Sequence, residues 1–168
     1  MRVIRLLLCG LVLVGWSLVA DAASYEALKP LLGDVPGWTG EAAEGASMDM
    51  EGMKMVTVSR HYQRGEAQSL NVQVGLMPGA MGASMQMTMN METDEAVMST
   101  TTIDGFRVHQ NHEKAQNSGA VVVILGGRDE KNSALFSMDY TGISAQEAMT
   151  MAKGFDWKKM QATTAALP

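Results

Sequence analysis

Two groups of methionines carry the unusual chemistry of this chain, which has 16 methionines in 168 residues. The first group is Met48-Asp-Met50-Glu-Gly-Met53-Lys-Met55, and the second runs from Met77 through Met81, Met85, Met87 and Met89 to Met91. A thioether is neutral, polarisable and never protonated, so it binds a soft cation such as Cu(I) without releasing a proton. In a strand, Met-x-Met places both sulfurs on one face. On a helix, spacings of three or four do the same. Imidazole nitrogen is the natural supplement, and His109-Gln-Asn-His112 offers a pair three residues apart. The candidate metal ligands are therefore Met48, Met50, Met53, Met55, His109 and His112.

The competing reading is packing. Methionine is an unbranched, flexible hydrophobe that fills irregular gaps and forms adaptable contact surfaces. Met77, Met81, Met85 and Met89 recur every four residues, a row on one helix face, whereas Met85, Met87, Met89 and Met91 recur every two, one face of a strand. Methionine and alanine favour the helix. A row of this kind reads as core or as a surface that repacks around an apolar or protein partner. With Trp38, which the turn Asp34-Val-Pro-Gly-Trp38 presents, Met77, Met81, Met85 and Met89 are the candidate partner contacts. The segment lacks the basic face that binds anionic membranes. The first cluster is interrupted by Asp49, Glu51 and Gly52, so its sulfurs are less suited to full burial.

Other chemistries find little support. No G-x-S-x-G, HExxH, P-loop or GxGxxG pattern is present, and Gly126-Gly127-Arg128 lies between two expected strands rather than before a helix. The expectation is a protein that is not an enzyme. A net charge of −5 and a pI near 5.1 argue against a nucleic-acid partner.

The beginning of the chain reads as an address. Arg2 and Arg5 precede an apolar run from Leu6 to Ala20 that ends in Ala20-Asp21-Ala22, the pattern of a Sec-type signal peptide over residues 1–22. The run is short of the roughly 20 residues needed to span a bilayer. Cleavage near Ala22 would remove Met1 and Cys9, the sole cysteine, and leave 11 basic against 17 acidic side chains, a charge of −6. A thiol-free chain with no stable membrane span suits the periplasm, where disulfide exchange would otherwise be a hazard.

The remaining elements must position these residues in one domain, 23–168. Ser24 to Leu32 reads as a short helix, and 40–52 as a flexible loop. Lys54 to Tyr62 and Gln68 to Leu76 read as strands, the latter with Leu70, Val72, Val74 and Leu76 in strict alternation. Asp104-Gly105 between Met98–Ile103 and Phe106–His109 marks a tight hairpin. Gly119–Leu125 and Ala134–Tyr140 read as further strands. Ser144-Ala-Gln-Glu147 is a capping box opening a C-terminal helix, with a frayed tail over 161–168. The expected fold class is α+β: an antiparallel sheet of about six strands, with a C-terminal helix and one or two further helices packed on one face.

Three short motifs carry a resemblance: the leucines from Leu28 leading to Pro36-Gly-Trp38, the methionine-rich middle Met77–Met91, and the closing Phe155-Asp-Trp-Lys-Lys-Met160. In these the chain resembles a group of uncharacterised small exported proteins of proteobacteria. Its element order is similar to the PsbP/DcrB type of α/β sandwich. The resemblance implies packing or partner binding for the methionine-rich middle, and it brings no catalytic residues. The expected function is that of an exported accessory protein whose methionine-rich surface engages a protein or apolar partner. The alternative is a periplasmic Cu(I)-binding protein using Met-x-Met thioethers, with Cu(I) as the one cofactor suggested.

Overall fold

The computed structural model describes residues 25–50, 53–78, 88–127 and 132–167. The expected signal peptide lies outside the described residues. Among the described residues nine strands form one sheet: β1 (Thr39–Gly40), β2 (Glu44–Met50), β3 (Met53–Arg64), β4 (Gln68–Pro78), β5 (Met91–Glu92), β6 (Ala96–Ile103), β7 (Phe106–Glu113), β8 (Ser118–Gly127) and β9 (Asn132–Thr141). The order is β1-β3-β4-β9-β8-β7-β6-β5, with β2 also paired to β3. Every pairing is antiparallel. Two α-helices follow the last strand, α1 (Ala145–Ala152) and α2 (Trp157–Ala165).

Strand alternation sorts the side chains. Val56, Val58 and Tyr62 on β3, Leu70, Val72, Val74 and Leu76 on β4, Phe136, Met138 and Tyr140 on β9, Val121, Val123 and Leu125 on β8, and Phe106 and Val108 on β7 all point to one buried face. Leu28 and Leu32 cover it from the N-terminal side, and Ala148, Ala152, Trp157 and Met160 from the helices. Aromatic rings close its centre: Phe136 lies 5.2 Å from Phe155 and 6.4 Å from Trp157, and Phe106 meets Trp157 edge to face at 5.9 Å. The opposite face carries Met55, Thr57, Ser59 and His61 of β3 and Asn71 and Gln73 of β4. Among the described residues, no helix is long and apolar enough to cross a membrane.

The six-strand α+β expectation is corrected to a predominantly β fold with nine strands. The region read as a loop over 40–52 contains β2. The expected helix at 24–32 is a turn followed by a single 3-10 turn, Lys29–Leu31, with Pro30 leaving one backbone donor fewer. The further helix expected over Pro78–Met91 is not supported at its described ends. Pro78 ends β4 and Met91 begins β5, while residues 79–87 lie outside the described residues. The C-terminal helix divides at Gly154. Ser144 caps α1 by accepting from the Glu147 N–H (3.2 Å), and Asp156 caps α2 by accepting from that of Lys159 (2.9 Å). The tail continues α2 instead of fraying, with Thr164 fully buried and Leu167 nearly so. At the β6–β7 hairpin, Asp104 (φ 52°) and Gly105 (φ 86°) both take the left-handed conformation of a type I′ turn.

Candidate functional site

The β2–β3 hairpin organises the first methionine group. Its register opposes Met48 to Met55 and Met50 to Met53 directly. Positions two apart share a face, and directly opposed positions share it too. All four methionine positions therefore occupy the outer face of the hairpin as two successive rungs. Met50 and Met53 are placed by backbone register alone. Met48 is half exposed and Met55 partly buried. Directly opposed residues have Cβ atoms about 5 Å apart, and the next same-face rung is about 7 Å along the strand. Methionine's three side-chain torsions span such gaps easily. Asp49 and Lys54 form the intervening register pair and fall on the other face, so the methionine face is free of formal charge at these rungs.

The hairpin end is also where β3 leaves its neighbour. The β3–β4 ladder runs from Arg64↔Gln68 to Val56↔Leu76 and stops there, while β4 continues to pair with β9 through Met77↔Ser133 and Pro78↔Asn132. One further step would have opposed Met55 to Met77. Both belong to the outer face, so Met48, Met55 and Met77 follow one another across three adjacent strands. The first residue of the second methionine group thus lies on the same face as the first group, one step beyond the last β3–β4 pair. The palindrome Met-x-Met-Glu-Gly-Met-x-Met about a two-residue link was the available signal for this register.

The histidines do not join the cluster. His109 and His112 are three apart on a strand, which puts them on opposite faces. Their strand is four steps from β3, about 19 Å across the sheet. The Nδ1 of His109 lies 3.0 Å from the Thr100 hydroxyl, and its Nε2 is buried without a hydrogen-bond partner. The Nδ1 of His112 lies 3.0 Å from the Tyr140 hydroxyl, with the two rings stacked at 5.9 Å. Burial pushes the Tyr140 phenol above its ordinary range, with hydrogen bonding from Gln110 opposing the rise. Among the described residues, no group of three His, Cys, Asp or Glu side chains converges on one point.

The candidate partner contacts are scattered. Met81 and Met85 lie outside the described residues. Met89 runs beside β6, its N–H donating to the Thr100 hydroxyl (3.1 Å), and is half exposed. Trp38 lies on the other side of the molecule, on the buried-face side of β3. It lines a cleft of 470 Å³ between the Pro30–Trp38 segment and the helices, with the Arg64 guanidinium 4.5 Å from its ring centroid.

One residue with structural weight escapes the sequence reading. Arg60 sits in the core-facing phase of β3. Its guanidinium donates to the carbonyls of Leu32 and Glu41 (both 2.7 Å) and to the Asp34 carboxylate (2.6 Å), holding the N-terminal segment on the sheet. The Tyr62 hydroxyl adds a bond to the Gly33 carbonyl (2.7 Å). No family model, curated protein or solved structure matches the chain.

Proposed function

We propose that the protein is an exported, non-catalytic binding protein whose methionine hairpin holds a soft cation, Cu(I), through thioether sulfur. The observation that supports this reading is the β2–β3 register. It turns four methionines from a sequence cluster into two opposed rungs on one face. Soft, neutral ligands suit a monovalent soft ion and cannot be lost to disulfide formation. The histidines are not part of the proposed site, being about 19 Å away across the sheet.

The test is competition for Cu(I) against a chromogenic chelator. Wild-type protein retains the ion, and the variant with Met48, Met50, Met53 and Met55 all replaced by leucine does not. Equal retention by both removes the hairpin from consideration.

A second reading is a methionine surface that engages a protein or apolar partner. It is favoured by one observation: the exposed large hydrophobics among the described residues, Met48, Met89 and Met91, are all methionines. Leucine preserves apolar area while deleting sulfur. Under the second reading the leucine variant keeps its partner, and wild-type protein holds no copper.

A further inference from the structure

The cleft beside Trp38 is independent of the methionine hairpin. It lies at the Arg64 end of β3 and against the buried face. The hairpin lies at the Met53 end and on the outer face, some nine residues or about 30 Å away along the strand. We propose that this cleft binds a small amphipathic cation, an apolar or aromatic body carrying an ammonium or guanidinium group.

Shape and lining give the first part of the case. A volume of 470 Å³ falls within the range of about 300–1,000 Å³ in which small-molecule sites are found. Trp38, Met151 and Phe155 supply apolar walls, and each is only partly buried against the core. The two walls come from segments distant in sequence. One is held to β3 by Arg60 and Tyr62, and the other is the corner between α1 and α2.

Charge gives the second part. The cleft is lined by three carboxylates, Asp34, Glu147 and Asp156, against one cation, Arg64. That cation is already engaged: it donates to Glu147 Oε1 and Gln68 Oε1, both at 2.6 Å, and lies over the Trp38 ring. An anion entering the cleft would meet carboxylates and a guanidinium already paired. A cation would meet the second carboxylate oxygens of Asp34, whose Oδ1 accepts from Arg60 (2.6 Å) while the side chain stays 91% exposed, and of Asp156, which spends one oxygen on the α2 cap. The stacked Arg64 shows that the indole accepts a cation.

The experiment is calorimetric titration of the full chain with three probes of one shape: benzyltrimethylammonium, benzyl alcohol and benzoate. The ammonium probe should bind saturably and about tenfold more tightly than the alcohol, with benzoate weakest. The double variant Asp34→Asn, Asp156→Asn should reduce that preference about fivefold; an asparagine amide oxygen still caps α2 and still accepts from Arg60, so the fold is preserved. Trp38→Leu should weaken the ammonium probe about tenfold, with circular dichroism confirming a folded chain. Equal affinity for all three probes, no saturable binding by any of them, or an ammonium preference unchanged in the double variant would overturn the proposal.

Discussion

Replacing Arg60 with alanine removes the clamp that holds residues 25–43 to the sheet, and its cost can be worked from the contacts. The Arg60 side chain is 16% exposed, and its guanidinium makes two bonds to backbone carbonyls, of Leu32 and Glu41, and one to Asp34. Hydrogen bonds to a charged group contribute about 1.5–3 kcal/mol each. The Asp34 pair is heavily discounted because its carboxylate stands in solvent, leaving about 0–1 kcal/mol. Truncation admits water to both carbonyls, so the total falls in the lower half of the sum, about 3 kcal/mol. Lysine keeps the charge but not the fork, and should cost about 2 kcal/mol. Urea unfolding measures the change in stability. Amide exchange locates it, because exchange should rise in residues 25–43 far more than in β8 and β9. A cost below about 0.5 kcal/mol, or a uniform rise in exchange, would refute the clamp.

Other consequences are equally open to measurement. Phe136→Ala deletes a fully buried ring beneath Phe155 and Trp157 and should cost about 3–5 kcal/mol in urea unfolding. Asp139 is exposed on the outer face of β9 between β4 and β8, and partial loss of solvent raises its carboxyl above the ordinary range, with Asn71 opposing the rise. A carboxyl whose pKa is higher folded than unfolded costs stability once the pH exceeds the unfolded value and has no effect below it. Asp139→Asn should therefore raise the urea midpoint at pH 7, and the gain should vanish below about pH 4. The leucine quartet at the hairpin should change stability by less than about 1.5 kcal/mol, because Leu and Met are near in volume, so loss of copper would not reflect unfolding.

Much of the sheet was legible where alternation was strong. Leu70, Val72, Val74 and Leu76 face the core as their spacing predicts, and Asp104-Gly105 turns the β6–β7 hairpin. β2 shows no apolar period: the positions in phase with Val56 and Val58 are Gly45, Ser47 and Asp49, and the last two are exposed. The cover over that edge comes from Tyr25, whose ring lies so close to Gly45 that a Cβ there would fall 2.1 Å from it. The tail looked too polar to pack. Thr164 is nonetheless buried, because its hydroxyl lies within bonding distance of the Met160 and Gln161 carbonyls (2.9 and 3.0 Å). The candidate site was legible in its residue types and not in its membership. Spacing of three unites His109 and His112 on a helix and separates them on a strand. The neighbourhood of Met55 and Met77 depends on a ladder between strands that local spacing does not encode.

X-ray absorption of the Cu(I)-loaded protein reads the ligands at the β2–β3 hairpin. The first shell should be sulfur alone, lost together with copper retention when Met48 and Met55 are both replaced by leucine. A shell containing nitrogen or oxygen, or copper held equally well without those two thioethers, would contradict sulfur coordination there.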